Sequence, residues 1–233
     1  MRKLIVCFAI PIAAFSANAQ TQSGLQGGAN LGRLFGKSGS IEESSKIKVG
    51  LVFGVVAEVN LGGRVYFRPE LNFIQKGGKN TNTNTISAFT YTNQTDFTLS
   101  YVQLMPNFVF DFKAGANKFF IGLGPELALG IGGNSKKENT TSGPGINIVN
   151  SSNREVIFDG KKNLFDNRLH LNAFDLGGNT VIGFKLANGA FISLGSTIGF
   201  LNISPEDNYS LKSSSLNLKI GFMFGGSKSK KKE

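Results

Sequence analysis

Tryptophan is absent from this chain, and cysteine and histidine occur once each. The one cysteine, Cys7, lies in the first apolar run. Downstream of it there is no thiol for a disulfide frame, a thiolate metal set or a cysteine nucleophile. His170 has no second histidine to help build a zinc site. Past the N-terminus no apolar stretch reaches the ~20 residues that a membrane helix requires, and mean hydropathy is −0.03. These absences exclude a disulfide-stapled domain and a helical membrane protein. They do not exclude a membrane barrel, in whose strands every second residue is polar.

Glycine and phenylalanine are plentiful, at 30 and 21 residues, which is a β composition. The N-terminus has Arg2 and Lys3, an apolar run over residues 4–15, and Ala17-Asn18-Ala19 before Gln20. That is the layout of a secretory signal peptide, with cleavage expected after Ala19. Loss of its two cations takes the formal charge from +10 to +8. The expected organisation is a signal peptide over 1–19, a β-barrel domain over 20–226 and a basic disordered tail over 227–233.

The segments between are periodic. From Arg64 to Phe73 the odd positions are Val65, Phe67, Pro69, Leu71 and Phe73, and the even ones are Arg64, Tyr66, Arg68, Glu70 and Asn72. A period of two gives a strand one apolar and one charged face. Eight such segments are legible, near residues 25–33, 49–61, 64–75, 97–112, 119–131, 174–186, 191–203 and 216–224. Most are long enough for the ~9–11 residues of a membrane strand. The fourth changes phase near Tyr101, which suggests a bulge in that strand, and Pro106 calls for an edge or a bulge.

Tight turns at Gly62-Gly63, Ala114-Gly115-Ala116-Asn117 and Ala187-Asn188-Gly189 alternate with long polar connections. Outer-membrane barrels alternate long outer loops with short periplasmic turns, whereas a soluble periplasmic sandwich, the alternative, has no reason to. The fold expected is therefore all-β: an eight-stranded antiparallel transmembrane β-barrel located in the outer membrane. The polar tract over residues 79–85 and the stretch over 135–153 read as mobile loops.

Several short motifs follow one another in order: Gly24-Leu25-Gln26-Gly27-Gly28-Ala29-Asn30, Arg68-Pro69-Glu70-Leu71, Gln75-Lys76-Gly77, Tyr101-Val102-Gln103-Leu104-Met105-Pro106 and Gly122-Leu123-Gly124-Pro125. In this order they resemble the PorT-type outer-membrane β-barrel family along nearly the whole mature chain. Gln103 stands where that family usually has Glu, and the lysine-rich tail runs past the usual aromatic end at Phe224. The resemblance implies fold and location, and for some members a place in secretion or gliding machinery.

With apolar faces toward lipid, the opposite faces put Glu58, Arg64, Arg68, Glu70, Asp111, Glu126, Asp175, Lys185 and Lys219 in the lumen. Eight strands enclose just enough room for side chains, so a near-balanced set of charges suggests paired ions filling the interior; a narrow conduit is the sharper alternative. Glycines on the same faces, such as Gly122, Gly183 and Gly221, leave space for large neighbours.

Chemistry is sparse. His170 with a loop serine and Asp166 or Asp175 is the one candidate catalytic group, and a lone histidine in a polar connection is more often structural. Asp159 and Asp166 lack any calcium-loop pattern, and Gly122-Leu123-Gly124 precedes a strand rather than the helix of a nucleotide site. No catalytic residue, cofactor or metal is expected, and export removes the chain from nucleic acid. The expected partners are outer-membrane lipid and an envelope or surface protein met through the longest connection, Gly132 to Arg168. The role expected is structural or surface interaction. The alternatives are a small porin-like passive channel and a component of a secretion or motility assembly.

Overall fold

In the computed structural model, residues 21–162 and 167–225 are described; the expected signal peptide, Asp166 and the basic tail lie outside them. Eleven strands follow in chain order: β1 (Thr21–Ser38), β2 (Ile41–Ser44), β3 (Lys48–Gly62), β4 (Val65–Ile86), β5 (Phe89–Ala114), β6 (Asn117–Gly143), β7 (Ile146–Ile157), β8 (Leu169–His170), β9 (Phe174–Lys185), β10 (Ala190–Gly199) and β11 (Ser210–Phe224). Eight of them form a ring. Around it β1, β3, β4, β5, β6, β9, β10 and β11 pair antiparallel in that order, and β11 returns to β1 from Ser23↔Phe224 to Lys37↔Ser210. Closure leaves the ring no free sheet edge.

Side chains alternate as the period of two requires. On β4, Arg68, Glu70, Asn72, Ile74 and Lys76 are buried inside, while Val65, Phe67, Pro69, Leu71 and Phe73 face out. The outer wall exposes Leu25, Phe53, Phe108, Leu123, Leu127, Phe174, Ile182, Leu218 and Ile220. An apolar belt this continuous marks a contact surface, and around a closed ring with a polar interior it suits hydrocarbon. Phenylalanine pairs such as Phe110–Phe112 and Phe222–Phe224, with ring centroids 5.0 and 5.3 Å apart, ring the short-turn end in place of the missing tryptophan. Among the described residues no helix is long and apolar enough to cross a membrane, which says nothing of strands.

Three features differ from the sequence reading. First, β5 keeps one phase throughout, with Leu99, Tyr101, Gln103, Met105 and Asn107 all inside. The irregularity belongs to β6, where Ser100 pairs Gly132 but Tyr101 pairs Gly130. Ile131 is the extra residue, and it reverses the phase of β6 beyond that point. The apparent phase change of β5 is a run of apolar residues turned inward.

Second, Pro106 sits mid-strand in the ring, opposite Pro69 of β4. The β5–β6 ladder stops at Phe108↔Leu123 and resumes at Leu104↔Leu127, so the stretch around Pro106 and Pro125 is left out of it. Proline has no N–H to donate, and an interrupted ladder serves in place of the expected edge or bulge.

Third, the long connections after residues 75 and 131 are largely strand. β5 and β6 are 26 and 27 residues long, more than twice the ~9–11 that cross a membrane. The hairpins β4–β5 and β6–β7 continue past the ring, and the pairs reach Thr90↔Ser142 between them and Gly143↔Ile146 at the second tip. They form one upright sheet, β4-β5-β6-β7. The tract over residues 79–85 is the upper part of β4 rather than a mobile loop.

Candidate functional site

The lumen holds two layers of charge. In the layer nearer the short turns, Arg68 of β4 is 0 % exposed. Its Nη1 donates to Glu58 Oε1 at 2.5 Å and its Nε to Glu70 Oε1 at 3.4 Å. Lys185 of β9 donates to Glu58, and Lys219 of β11 to Glu70. Gln26 of β1 adds a bond to Glu70 at 2.7 Å and one to Asn72 at 2.8 Å. The guanidinium lies between two rings, 4.6 Å from the centroids of Phe120 and Phe191. Those rings need the space over two glycines. A Cβ on Gly183 would strike Phe120 Cζ, and one on Gly221 would strike Phe191 Cζ.

The layer above is built on Lys76. Its ammonium donates to Glu126 Oε1 at 2.6 Å, Asp175 Oδ2 at 3.3 Å and Ser213 Oγ at 3.2 Å. Gln103 donates to Glu126 at 2.6 Å and Ser213 to Asp175 at 2.6 Å. Below both layers, at the short-turn rim, Lys118 bonds Asp111 and Tyr66, each at 2.9 Å.

Of the nine residues that alternation puts in the lumen, Glu58, Arg68, Glu70, Lys185 and Lys219 meet in one cluster. Glu126 and Asp175 meet in another, and Asp111 stands at the rim. Arg64 is not among them. It forms the β3–β4 turn with Gly63 and is exposed, because the strand period begins only at Val65. Lys76 and Lys118 are further members that the sequence reading misses. Lys76 continues the even-numbered inner face of β4 by one more step, which the Gly77-Gly78 that follows disguises as the start of a loop. With these changes Arg68, Lys76, Lys118, Lys185 and Lys219 balance Glu58, Glu70, Asp111, Glu126 and Asp175.

The long-strand end is corked by apolar side chains. Leu34, Val52, Ile74, Leu99, Tyr101 and Ala128 from the ring pack against Val156, Leu171 and Ile203, with Phe158 and Leu169 beside them. Phe158 fills the space over Gly130 and meets Tyr101 edge-on at 5.2 Å. The cork's backbone is tied down: Leu171 N donates to Ile157 O at 2.8 Å and Asn172 N to Ile203 O at 2.9 Å. Residues 156–158 of the connection after Gly132 therefore lie over the barrel mouth.

His170 is buried at this end, and its Nδ1 lies 2.8 Å from Asp159 Oδ1. A carboxylate only accepts, so Nδ1 carries the proton. That bond holds the Asp159 carboxyl below the usual carboxylate range. Asp166, the carboxylate expected beside His170, lies outside the described residues, and Asp175 is engaged in the lumen by Lys76 and Ser213 instead. Lys162 pairs with Asp207 across the same end, and that carboxylate holds its ammonium above the ordinary lysine range. Among the described residues no group of three or more His, Cys, Asp or Glu side chains is placed to hold a metal.

The upright sheet has two unlike faces, because directly paired residues share a face. On one face the Thr83 and Thr92 hydroxyls lie 3.4 Å apart and those of Thr85 and Thr90 3.3 Å apart. On the other, Asn82, Asn93, Asn139 and Asn150 stand in one row across all the strands.

Comparison with curated protein sequences finds no match. Among solved structures the chain is similar to Ail of Yersinia pestis, solved in complex with the heparin analogue sucrose octasulfate. The identity is 14 %, covering 88 % of this chain and 99 % of that one, with a TM-score of 0.41. It is also similar to Neisserial surface protein A, at 14 % identity over 87 % of this chain and 97 % of that one, with a TM-score of 0.39. Residues 16–205 match the family described as outer membrane protein beta-barrel domain. A closed ring with a lipid-suited wall and a polar, paired interior is the architecture that match calls for, and the chain belongs to this outer-membrane β-barrel family.

Proposed function

We propose that this barrel is a non-enzymatic surface-interaction protein that works through its upright sheet and uses the lumen as a structural core. The observation that carries the reading is the contrast between the two. Arg68, Glu70, Asn72, Gln103, Asn107 and Glu126 are all 0 % exposed, so these lumen side chains pack against one another rather than line an open path. The cork adds a second, apolar obstruction above. Side chains so placed hold the wall together and carry nothing through it, which speaks against the passive-channel alternative.

Beyond the ring, strand length is spent on exposed surface. Two hairpins of well-paired backbone project outward with largely polar faces, on which Tyr91, Ile148 and Val149 are exposed, and with tips bearing Ile86 and Ile146. Loops and projections held by a rigid scaffold are where binding residues concentrate. The resemblance to PorT-type barrels supports a second, compatible reading, in which the partner is another component of an envelope assembly.

The test removes residues 81–94 and 137–152, replacing each with a short turn, and leaves the ring intact. Cells displaying the full barrel are expected to adhere to surfaces and to one another. Cells with the trimmed barrel, present in the outer membrane in equal amount, are expected not to. Equal adhesion of both would overturn the reading.

A further inference from the structure

The tract over residues 79–85 alternates Asn and Thr, so β4 sends amides to one face and hydroxyls to the other. Neighbouring strands continue the pattern. Asn82 pairs Asn93, Asn93 pairs Asn139 and Asn139 pairs Asn150. All four are exposed. Whereas the threonines opposite bond one another, none of these four amides has a hydrogen-bond partner among the described residues. Four free amides thus stand in one row, about 4.8 Å from strand to strand.

The rows above and below fit the same surface. Above lies Asn84–Tyr91–Thr141–Ile148, with Tyr91 40 % exposed. Below lies Asn80–Thr95–Lys137–Ser152. Asn80 is occupied, donating to Glu43 at 3.5 Å. The sheet itself puts no carboxylate on this face; Asp96 and Glu138 fall on the other.

We propose that this asparagine face binds an extended chain of uncharged sugars. Each amide offers both a donor and an acceptor, which is what vicinal hydroxyls require, and the strand spacing is close to the rise of one pyranose unit. An exposed tyrosine ring beside such a row gives the apolar face of a sugar something to lie on. A protein partner would call for a central aromatic or arginine anchor in an apolar pocket, and the row has none. A polyanion would call for more cations than Lys137 alone among these rows. The proposal rests on the surface-interaction reading and names its ligand.

The experiment uses the full barrel in lipid nanodiscs, passed over immobilised neutral polysaccharides: a glucan, a galactan, a mannan and a xylan, with dextran sulfate alongside. Saturable binding to at least one neutral polymer is expected. Asn93→Ala with Asn139→Ala should weaken it about tenfold or more, while Thr83→Ala with Thr92→Ala on the opposite face leaves it unchanged. Both variants should keep the wild-type folded mobility on unheated gels. Binding to dextran sulfate alone, lost in Lys137→Gln, would overturn the proposal in favour of a charge-driven site. Binding to none of the polymers, or neutral binding insensitive to the asparagine pair, would also overturn it. If hairpin trimming abolishes adhesion while the asparagine pair does not, the ligand is wrong and the surface-interaction reading stands. If neither has an effect, both fail.

Discussion

The guanidinium of Arg68 lies 4.6 Å from the ring centroid of Phe120, with both groups buried inside the barrel. Phe191 repeats the contact on the other side, and Glu58 and Glu70 take the guanidinium's edges. One residue thus ties together β3, β4, β6 and β10. Arg68→Met leaves two buried carboxylates each short of a partner, and about 3–5 kcal/mol of stability should be lost. Arg68→Lys should recover little of it, since an ammonium has neither the flat faces nor the forked donors. Urea unfolding of the barrel in detergent micelles checks both. Wild-type resistance in Arg68→Met would show that the network does not hold the ring.

Gly183 serves that contact indirectly, because its missing side chain is where the Phe120 ring sits. Gly183→Leu should push the ring off Arg68 and cost about 1–3 kcal/mol as an overpacked core. Gly178, on the same strand but on the outer wall, meets only the Phe200 ring, with Cζ at 3.1 Å. Gly178→Ala should cost much less. Equal effects in the same unfolding assay would argue against the stacked arrangement.

Leu127 faces outward, 46 % exposed, between Leu104 and Leu176 on the neighbouring strands. Leu127→Arg should lower the stability of the inserted barrel by about 2–4 kcal/mol if the position is near mid-membrane. Normal assembly and stability of this variant would place the hydrocarbon against some other surface.

Acid should loosen the mouth. The His170 bond depresses the Asp159 carboxyl, and Lys161 helps, through its N–H at 3.2 Å and its ammonium at 3.9 Å. Because the folded pKa lies below the unfolded one, this stabilisation is complete above the ordinary carboxylate range. It disappears as pH falls through the depressed folded value. Proteolysis of the connection over residues 157–173 should accelerate in that acid window for the wild type. Asp159→Asn should show no such step there. An acid step of the same size in both would remove Asp159 from the account.

Much of this is legible in the sequence, and the rest is hidden for physical reasons. Strand alternation is local, so Arg68, Glu70 and Lys219 can be set on inner faces without knowing their partners. Arg64 falls one position short of the strand, at a turn where the period lapses. Lys76 is hidden because Gly77-Gly78 looks like loop, and the Asn/Thr alternation of residues 79–85 is masked by a composition that suggests disorder. The β6 bulge at Ile131 is read onto β5, since a register shift belongs to a pair of strands and a single sequence shows only one at a time. The cork is beyond reach: Val156, Phe158 and Leu171 lie in stretches that read as connection, Ile203 reads as the end of the seventh segment although its strand stops at Gly199, and only tertiary packing gathers them.

The most direct test is single-channel recording of the purified, folded barrel in a planar bilayer. A lumen filled by two layers of paired charge beneath an apolar cork predicts silence at high protein load. Steady openings, shifted when Glu126 is replaced by Gln, would contradict the account and make the lumen the working part of the molecule.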